Sequence, residues 1–193
     1  MGYIKNILKV FILIYLLLQL FHLNNANADN NIKIIGCINT ITLETREPSE
    51  NGNCLFGLNW QNIMLPWNDQ LNKWWKVFET KNQIINRLPI VNFESGFDPY
   101  AENSIAIWYV QTLKKYKIWL SIEEQLTWMK NRMESQKEWN CSQWVEFWEE
   151  RLLRCFYARH YGALSWYHWY PNKLIAARNY YIQYFEKIEK NNT

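Results

Sequence analysis

Apolar residues recur every three or four positions in four stretches of this chain, and that spacing places side chains on one face of an α-helix. The stretches begin at Asn68, Ser121, Ser142 and Asn172. Asn68 and Asn172 are of a type that commonly caps a helix at its N-terminus, and Ser121 begins the Ser-x-x-Glu pattern of a capping box. On this pattern the first helix runs from Asn68 to Ile85. The chain is therefore predicted to have a mainly α fold.

The segment before the first helix lacks helical spacing. Ile32 to Ile38 is an apolar, β-branched run, which indicates a short strand or an extended arm. Asn39 to Asn59 is rich in Asn, Glu, Thr, Pro and Gly, a composition typical of a long loop. Because no internal repeat or second-domain boundary is visible, we expect three parts: a leader at residues 1–28, a disulfide-stapled segment at 29–60, and one helical domain at 61–193.

The leader has the features of a secretory signal peptide. Lys5 and Lys9 precede an almost wholly apolar run from Val10 to Leu20, and Ala26-Asn27-Ala28 matches a small-residue cleavage site. The alternative is an uncleaved anchor, although the apolar run is short for a segment that must span a membrane. We expect cleavage, a secreted or periplasmic protein, and contact with the membrane only through the signal segment.

The charge of the mature chain argues against nucleic-acid binding. Removing Lys5 and Lys9 from the 21 basic residues leaves 19, against 18 acidic residues. A protein that binds nucleic acid through its phosphates carries a strongly basic surface. The nearly neutral balance therefore excludes nucleic acid as an expected partner.

The four cysteines, Cys37, Cys54, Cys141 and Cys155, indicate disulfides in an oxidising compartment. If Ser142 to Arg159 is one helix, Cys141 and Cys155 would lie about 20 Å apart, beyond the roughly 7 Å that a disulfide allows between Cα atoms. We therefore expect the N-terminal segment to be stapled onto that helix, in an order that the sequence leaves open. The alternative is a single bridge from Cys37 to Cys54. No Cys-x-x-Cys spacing occurs, so no metal or cofactor is predicted.

A single glutamate, Glu94, stands between the apolar run from Leu88 to Phe93 and a turn of Gly, Asp and Pro residues. A carboxyl group at the end of a structural element can be half-buried and still face a cleft. Half-burial disfavours the charged form, so such a glutamate can stay protonated near neutral pH and act as a general acid. Pro89 fits either the first turn of a short helix or an extended approach. The structural alternative is a solvated glutamate beside a turn.

The sequence around Glu94 resembles the active-site signature of the soluble lytic transglycosylases, a lysozyme-like family that cleaves peptidoglycan. The resemblance rests on Glu94-Ser95, on the aromatic-Asp-Pro-x-Ala turn from Phe97 to Ala101, and on Gln111 at the end of a short apolar segment. It implies a single lysozyme-like helical domain with a short helix leading to Glu94. In that domain Glu94 is the catalytic acid/base, Ser95 steadies it, and Gln111 binds the substrate.

The resemblance also brings in three aromatic residues. Tyr109 lies in the segment that ends at Gln111 and becomes a candidate substrate-binding residue. Tyr161 matches the tyrosine that approaches the catalytic glutamate in a third motif, with Tyr157 as the alternative. The chain departs from the family at Trp108, where the family has glycine, and a bulky residue cannot adopt the backbone conformations that glycine permits. This departure bears on the geometry of sugar binding.

The expected function is that of a peptidoglycan lytic transglycosylase, which cleaves the MurNAc-GlcNAc bond of glycan strands with one glutamate. Ordinary glycosidases need two carboxylates, and only Asp98 and Glu102 follow Glu94 closely. An envelope-spanning secretion apparatus is a further possible partner. The alternatives are a catalytically impaired module that binds glycan or protein, and a secreted interaction protein whose aromatic residues form only core and interface.

Overall fold

The computed structural model describes residues 32–102, 106–107, 112–113, 120–136, 141, 149–161 and 169–192. Apart from Ile32, these residues belong to one compact unit, Lys33–Thr193. The predicted signal peptide at residues 1–28 lies outside the described residues. No helix in the described ranges is long and apolar enough to cross a membrane.

The N-terminal half contains a three-stranded antiparallel sheet in the order β2-β1-β3. Its strands are β1 (Ile32–Asn39), β2 (Thr45–Arg46) and β3 (Trp60–Pro66). β1 is the central strand, and Cys37 pairs with Arg46 across the β1–β2 ladder. Two further short strands, β4 (Ala106–Ile107) and β5 (Thr112–Leu113), form a separate antiparallel pair.

Six helices are described, and their bounds are α1 (Asn68–Val77), α2 (Lys81–Ile85), α3 (Leu88–Ser95), α4 (Ile122–Gln136), α5 (Glu149–Tyr161) and α6 (Trp169–Asn191). The predicted capping box at Ser121 is present, because Ser121 N–H donates to Glu124 Oε2 at 2.7 Å and Glu124 N–H donates to Ser121 Oγ at 3.3 Å. α3 packs against β3 and α6, α5 against α6, and α1 against α4.

The prediction of a mainly α, lysozyme-like helical fold is wrong, because the sheet makes this a mixed α+β protein. β3 was missed in the sequence because only Ile63 and Leu65 alternate with less buried neighbours before Pro66 ends the strand. So short an alternation carries little signal beside the strong helical pattern that follows it.

The single helix predicted from Asn68 to Ile85 is two helices. The backbone of Phe78 is extended, and Thr80 opens α2 with a complete capping box that includes Gln83. A capping box satisfies the backbone N–H groups at a helix start, so the chain starts a new helix instead of continuing the first. Trp74 is fully buried between the Phe78 and Phe97 rings, with centroid distances of 5.6 and 6.2 Å, and therefore belongs to the core.

Two disulfides are present, Cys37–Cys54 and Cys141–Cys155, with Cα–Cα distances of 5.5 and 5.8 Å. The prediction that Cys141 and Cys155 do not pair is wrong, and so is the expected stapling of the N-terminal segment onto the helix. Their Cα atoms are 5.8 Å apart, not the roughly 20 Å that one continuous helix from Ser142 through Cys155 would require. The 1.5 Å rise per residue therefore does not apply between them.

Candidate active site around Glu94

Helix α3 places Glu94 near its C-terminus. Pro89 occupies the first turn, as the short-helix alternative required, and Gly96 ends the helix in the left-handed conformation with φ of 61°. Glycine tolerates that conformation because it has no Cβ. The Asn92 side chain fixes α3 to β3, since its Oδ1 accepts from Met64 N–H at 2.7 Å and its Nδ2 donates to Asn62 O at 3.1 Å. The Glu94 carboxyl is consequently held in one place, with 19 % of its side chain exposed.

Helices α5 and α6 bring two polar side chains to one oxygen of Glu94. The Tyr170 hydroxyl donates a hydrogen bond to Glu94 Oε1. His160 Nε2 lies 3.7 Å from the same oxygen, which is too long for a hydrogen bond. Glu94 is therefore bonded by Tyr170 and only neighboured by His160.

The protonation states of Glu94 and His160 are set mainly by burial. Burial raises the pKa of Glu94 above its usual value, while the Tyr170 hydrogen bond and the positive charge of Lys173 oppose that rise. Burial, helped by the charge of Arg132, lowers the pKa of His160 to about 4. The imidazole is thus neutral at neutral pH, and its contact with Glu94 is not an ion pair.

Lys173 lies on the same face of α6 as Tyr170 and is only 8 % exposed. Its ammonium group donates to Gln61 Oε1 at 3.0 Å and lies 3.9 Å from the centroid of the Phe93 ring. Burial lowers the pKa of Lys173, and the nearby Glu94 charge opposes that shift. The ammonium is held by an amide oxygen and a ring face, an arrangement that suits a partly desolvated cation.

Trp169 supplies an exposed aromatic surface beside Tyr170 and the Lys173 ammonium group. Half of the residue is exposed to solvent, and its ring stands nearly perpendicular to Tyr170 with centroids 5.7 Å apart. The Lys173 ammonium is 5.7 Å from the Trp169 ring. A flat amphipathic ring next to a proton-donating group can hold an organic ring face against the reacting centre.

The other residues proposed from the sequence have varied outcomes. Ser95 Oγ donates to Val91 O at 3.1 Å within α3, so its hydrogen bond serves the helix. Tyr157 is buried and donates to Asn86 O at 2.6 Å, which marks it as a structural residue. Tyr161 is the last residue of α5, and its side chain lies outside the described part. Trp108, Tyr109 and Gln111 also lie outside the described residues.

The two acids that follow Glu94 in sequence are exposed. Asp98 Oδ1 accepts the backbone N–H of Tyr100 at 2.8 Å, which stabilises the turn after α3. Glu102 is also exposed. Within the described ranges no group of three His, Cys, Asp or Glu residues could hold a metal ion.

Sequence reasoning gave no role beside Glu94 to His160, Lys173 or Gln61, and it considered Tyr170 only as part of the aromatic run from Trp166 to Pro171, a candidate surface for sugar rings. Asn172 was expected to cap the helix, which placed Tyr170 before it. α6 instead begins at Trp169 and includes Pro171 in its first turn. Tyr170 and Lys173 are therefore three residues apart on one helix, and this spacing was the available signal.

No family model matches the chain, and comparison with curated proteins and with solved structures also found no match. A functional conclusion therefore depends on the chemistry of the residues around Glu94.

Proposed function

We propose that this protein is a peptidoglycan lytic transglycosylase that uses Glu94 as its single catalytic acid/base. The observation that carries the proposal is a half-buried carboxyl group whose pKa is raised by burial and whose oxygen is bonded by the Tyr170 hydroxyl. A glutamate tuned in this way can donate a proton near neutral pH and then be stabilised as a carboxylate.

The reaction fits a single carboxylate. Protonated Glu94 gives its proton to the glycosidic oxygen between MurNAc and GlcNAc as the bond to that oxygen breaks. The resulting carboxylate, stabilised by Tyr170 and Lys173, removes the proton from the C6 hydroxyl of the same MurNAc as that oxygen bonds to C1. The product is a 1,6-anhydro sugar, no water is consumed, and Glu94 regains its proton.

Two further features support a glycan substrate. Trp169 offers a half-exposed ring beside Tyr170 and Lys173, which suits the face of a sugar ring. The Glu94-Ser95 pair and the turn from Phe97 to Ala101 resemble the signature of lytic transglycosylases. The two disulfides are compatible with a secreted protein, where peptidoglycan would be encountered.

A second candidate is a catalytically impaired module that binds glycan strands or a protein. Tyr170 and Lys173 both favour the ionised form of Glu94, and an ionised carboxylate cannot act as the first proton donor. In that case the surface around Trp169 would hold a glycan through that ring and the polar groups beside it without cleaving it.

Mass spectrometry of soluble fragments released from purified peptidoglycan separates these candidates. The transglycosylase should release anhydro-ended fragments, and Glu94→Gln should abolish the release because the amide has no acidic proton. Glu186→Gln, which changes an exposed glutamate of α6, is the matched control and should keep full activity. Reducing-end fragments would indicate hydrolysis, and glycan binding without fragments from either protein would favour the binding module.

A further inference from the structure

A surface depression of about 470 Å³ lies between β1, the residues that follow β2, and the C-terminal turns of α6. Its volume is within the range of roughly 300 to 1,000 Å³ that is typical of small-ligand pockets. We call it the β1–α6 depression and define it by Ile34, Ile35, Glu47, Tyr180, Tyr184 and Lys187. The side chains around Glu94 do not line it.

The floor of the depression is a fixed contact between β1 and α6. The buried Tyr180 hydroxyl donates to Ile35 O at 2.6 Å. Gly36 lies directly under the Tyr180 ring, where a Cβ would come within 2.5 Å of the ring carbons. Because the ring is packed and hydrogen-bonded, the depression is formed before any ligand arrives.

One face of α6 forms the long wall. Tyr180, Tyr184, Lys187 and Asn191 are spaced by three or four residues and therefore lie on the same side of the helix. Tyr184 is half-buried, which leaves part of its ring available, and Ile188 beside it is 37 % exposed. The wall thus presents an amphipathic ring and an apolar surface to the depression.

The rim combines hydrogen-bond donors and acceptors. Lys187 Nζ lies 3.9 Å from Glu47 Oε1, and their side chains are 71 % and 72 % exposed. So solvated an ion pair is weak, and Lys187 can turn toward a ligand at little cost, while Glu47 also interacts with the Tyr180 hydroxyl. Gln183 and Asn191 add exposed amides, and Lys33 adds a second ammonium.

The mixture of charges on the rim limits the class of ligand. Glu47 opposes a strongly anionic ligand, and Lys33 and Lys187 oppose a cationic one. Hydroxyl groups both donate and accept hydrogen bonds, so they match carboxylate, amide and ammonium groups together. A sugar ring also has an apolar face that packs on an aromatic ring.

We propose that the β1–α6 depression binds a neutral saccharide, with the Tyr184 ring against the sugar face and Glu47, Gln183 and Lys187 bonded to its hydroxyls. This site is separate from Glu94 and does not depend on the proposed catalytic activity.

Calorimetric titration of the Glu94→Gln protein with chitotetraose and with maltotetraose tests the proposal without cleavage of the probe. For whichever sugar is bound, Tyr184→Ala should raise the Kd about tenfold, because the stacking surface is lost. Tyr184→Phe keeps the ring and should bind nearly as well. In protein with ¹³C-labelled tyrosine rings, the signal that disappears in Tyr184→Phe should shift on addition of the sugar.

Trp75→Ala, which removes a 45 % exposed aromatic residue from α1, is the control and should bind like the parent protein. The proposal is overturned if neither sugar binds, if Tyr184→Ala binds as well as the parent, or if Trp75→Ala loses affinity equally. This titration and the fragment assay test different proposals. If the protein binds sugar at Tyr184 but releases no fragments, the saccharide site is supported and the transglycosylase activity is contradicted.

Discussion

His160 Nε2 lies 3.7 Å from Oε1 of Glu94, yet the two groups respond to burial in opposite ways. Burial raises the pKa of Glu94 and lowers that of His160 to about 4. Both shifts favour the neutral forms. At the pH where an imidazolium could pair with a carboxylate, the protein interior disfavours each charge, and this contact is therefore a neutral one.

His160 should make the protein less stable as the solution becomes acidic. Because its pKa is lowered in the folded state, its contribution to stability is complete above the unfolded pKa of 6.5 and is lost as the pH falls toward 4. Between pH 7 and pH 5 this should lower the free energy of unfolding by about 2 kcal/mol. Urea unfolding of the wild type and of His160→Gln at both values measures it.

The titration of Glu94 changes the free energy of unfolding with pH in the opposite sense to that of His160. The wild type must therefore be compared with His160→Gln. A raised carboxyl pKa gives a contribution that is complete below the unfolded value of 4.5 and is lost as the pH rises through the folded value. Since Glu94 is present in both proteins, subtracting the pH dependence of His160→Gln from that of the wild type removes most of it. Identical pH dependence in the two proteins would show that His160 is not buried in the neutral form.

Tyr170→Phe should raise the pKa of Glu94, because the hydroxyl hydrogen bond that favours the carboxylate is removed. If Glu94 is the general acid, the alkaline limb of the pH profile of kcat/KM should move to higher pH. The maximal rate should fall by about 10- to 100-fold, the value of one hydrogen bond to a charged group.

Titration of ¹³C-labelled glutamate side chains follows the same shift without any activity, with Glu94→Gln used to assign the signal. Tyr157→Phe is the matched control, since its hydroxyl bonds to Asn86 O and not to Glu94. An unchanged Glu94 titration in Tyr170→Phe, or an equal change in Tyr157→Phe, would contradict the assignment of Tyr170 as the group that tunes Glu94.

The sequence was sufficient to predict the local setting of Glu94 but not its partners. The apolar run before it and the Gly-Asp-Pro turn after it mark the end of a structural element, and these signals lie within a few residues; the residues alone left a helix or an extended approach open. Tyr170 and Gln61 reach the site through packing of α6 and β3 on α3, and His160 reaches it through packing of α5 on α6. Local periodicity carries no information about such packing.

The wrong prediction that Cys141 and Cys155 do not pair has a similar origin. The aromatic spacing after Cys141 suggested that the helix begins at Ser142, and the exclusion of a Cys141–Cys155 bridge followed from that boundary alone. Helix boundaries are the least reliable part of a sequence-based assignment. The 5.8 Å between the Cα atoms of Cys141 and Cys155 shows that the helical rise assumed from Ser142 was the wrong premise.

Removing the Cys141–Cys155 bridge should destabilise the protein. A paired Cys141→Ser, Cys155→Ser variant loses a link between residues 14 apart, which in the chain-entropy description stabilises by about 3 kcal/mol. Urea unfolding of the variant and the wild type measures the difference. Peptide mapping of the non-reduced wild type should first recover Cys141 linked to Cys155, and a peptide linking Cys37 to either of them would contradict the pairing.

Gly36→Ala should destabilise the contact between β1 and α6. The new Cβ would lie 2.5 Å from Cε1 and Cζ of Tyr180, whose hydroxyl is held by Ile35 O. The ring cannot retreat without losing that hydrogen bond, so overpacking should cost about 1 to 3 kcal/mol in the free energy of unfolding.

The double variant Gly36→Ala, Tyr180→Leu distinguishes overpacking from a simple loss of strand or loop geometry. Tyr180→Leu alone should destabilise the protein because the ring and its hydrogen bond are lost. Once the ring is gone, the alanine methyl has room, so the added cost of Gly36→Ala in that background should be close to zero. If the alanine costs the same in both backgrounds, its effect does not arise from Tyr180, and the close approach of the ring to β1 is not what requires glycine at this position.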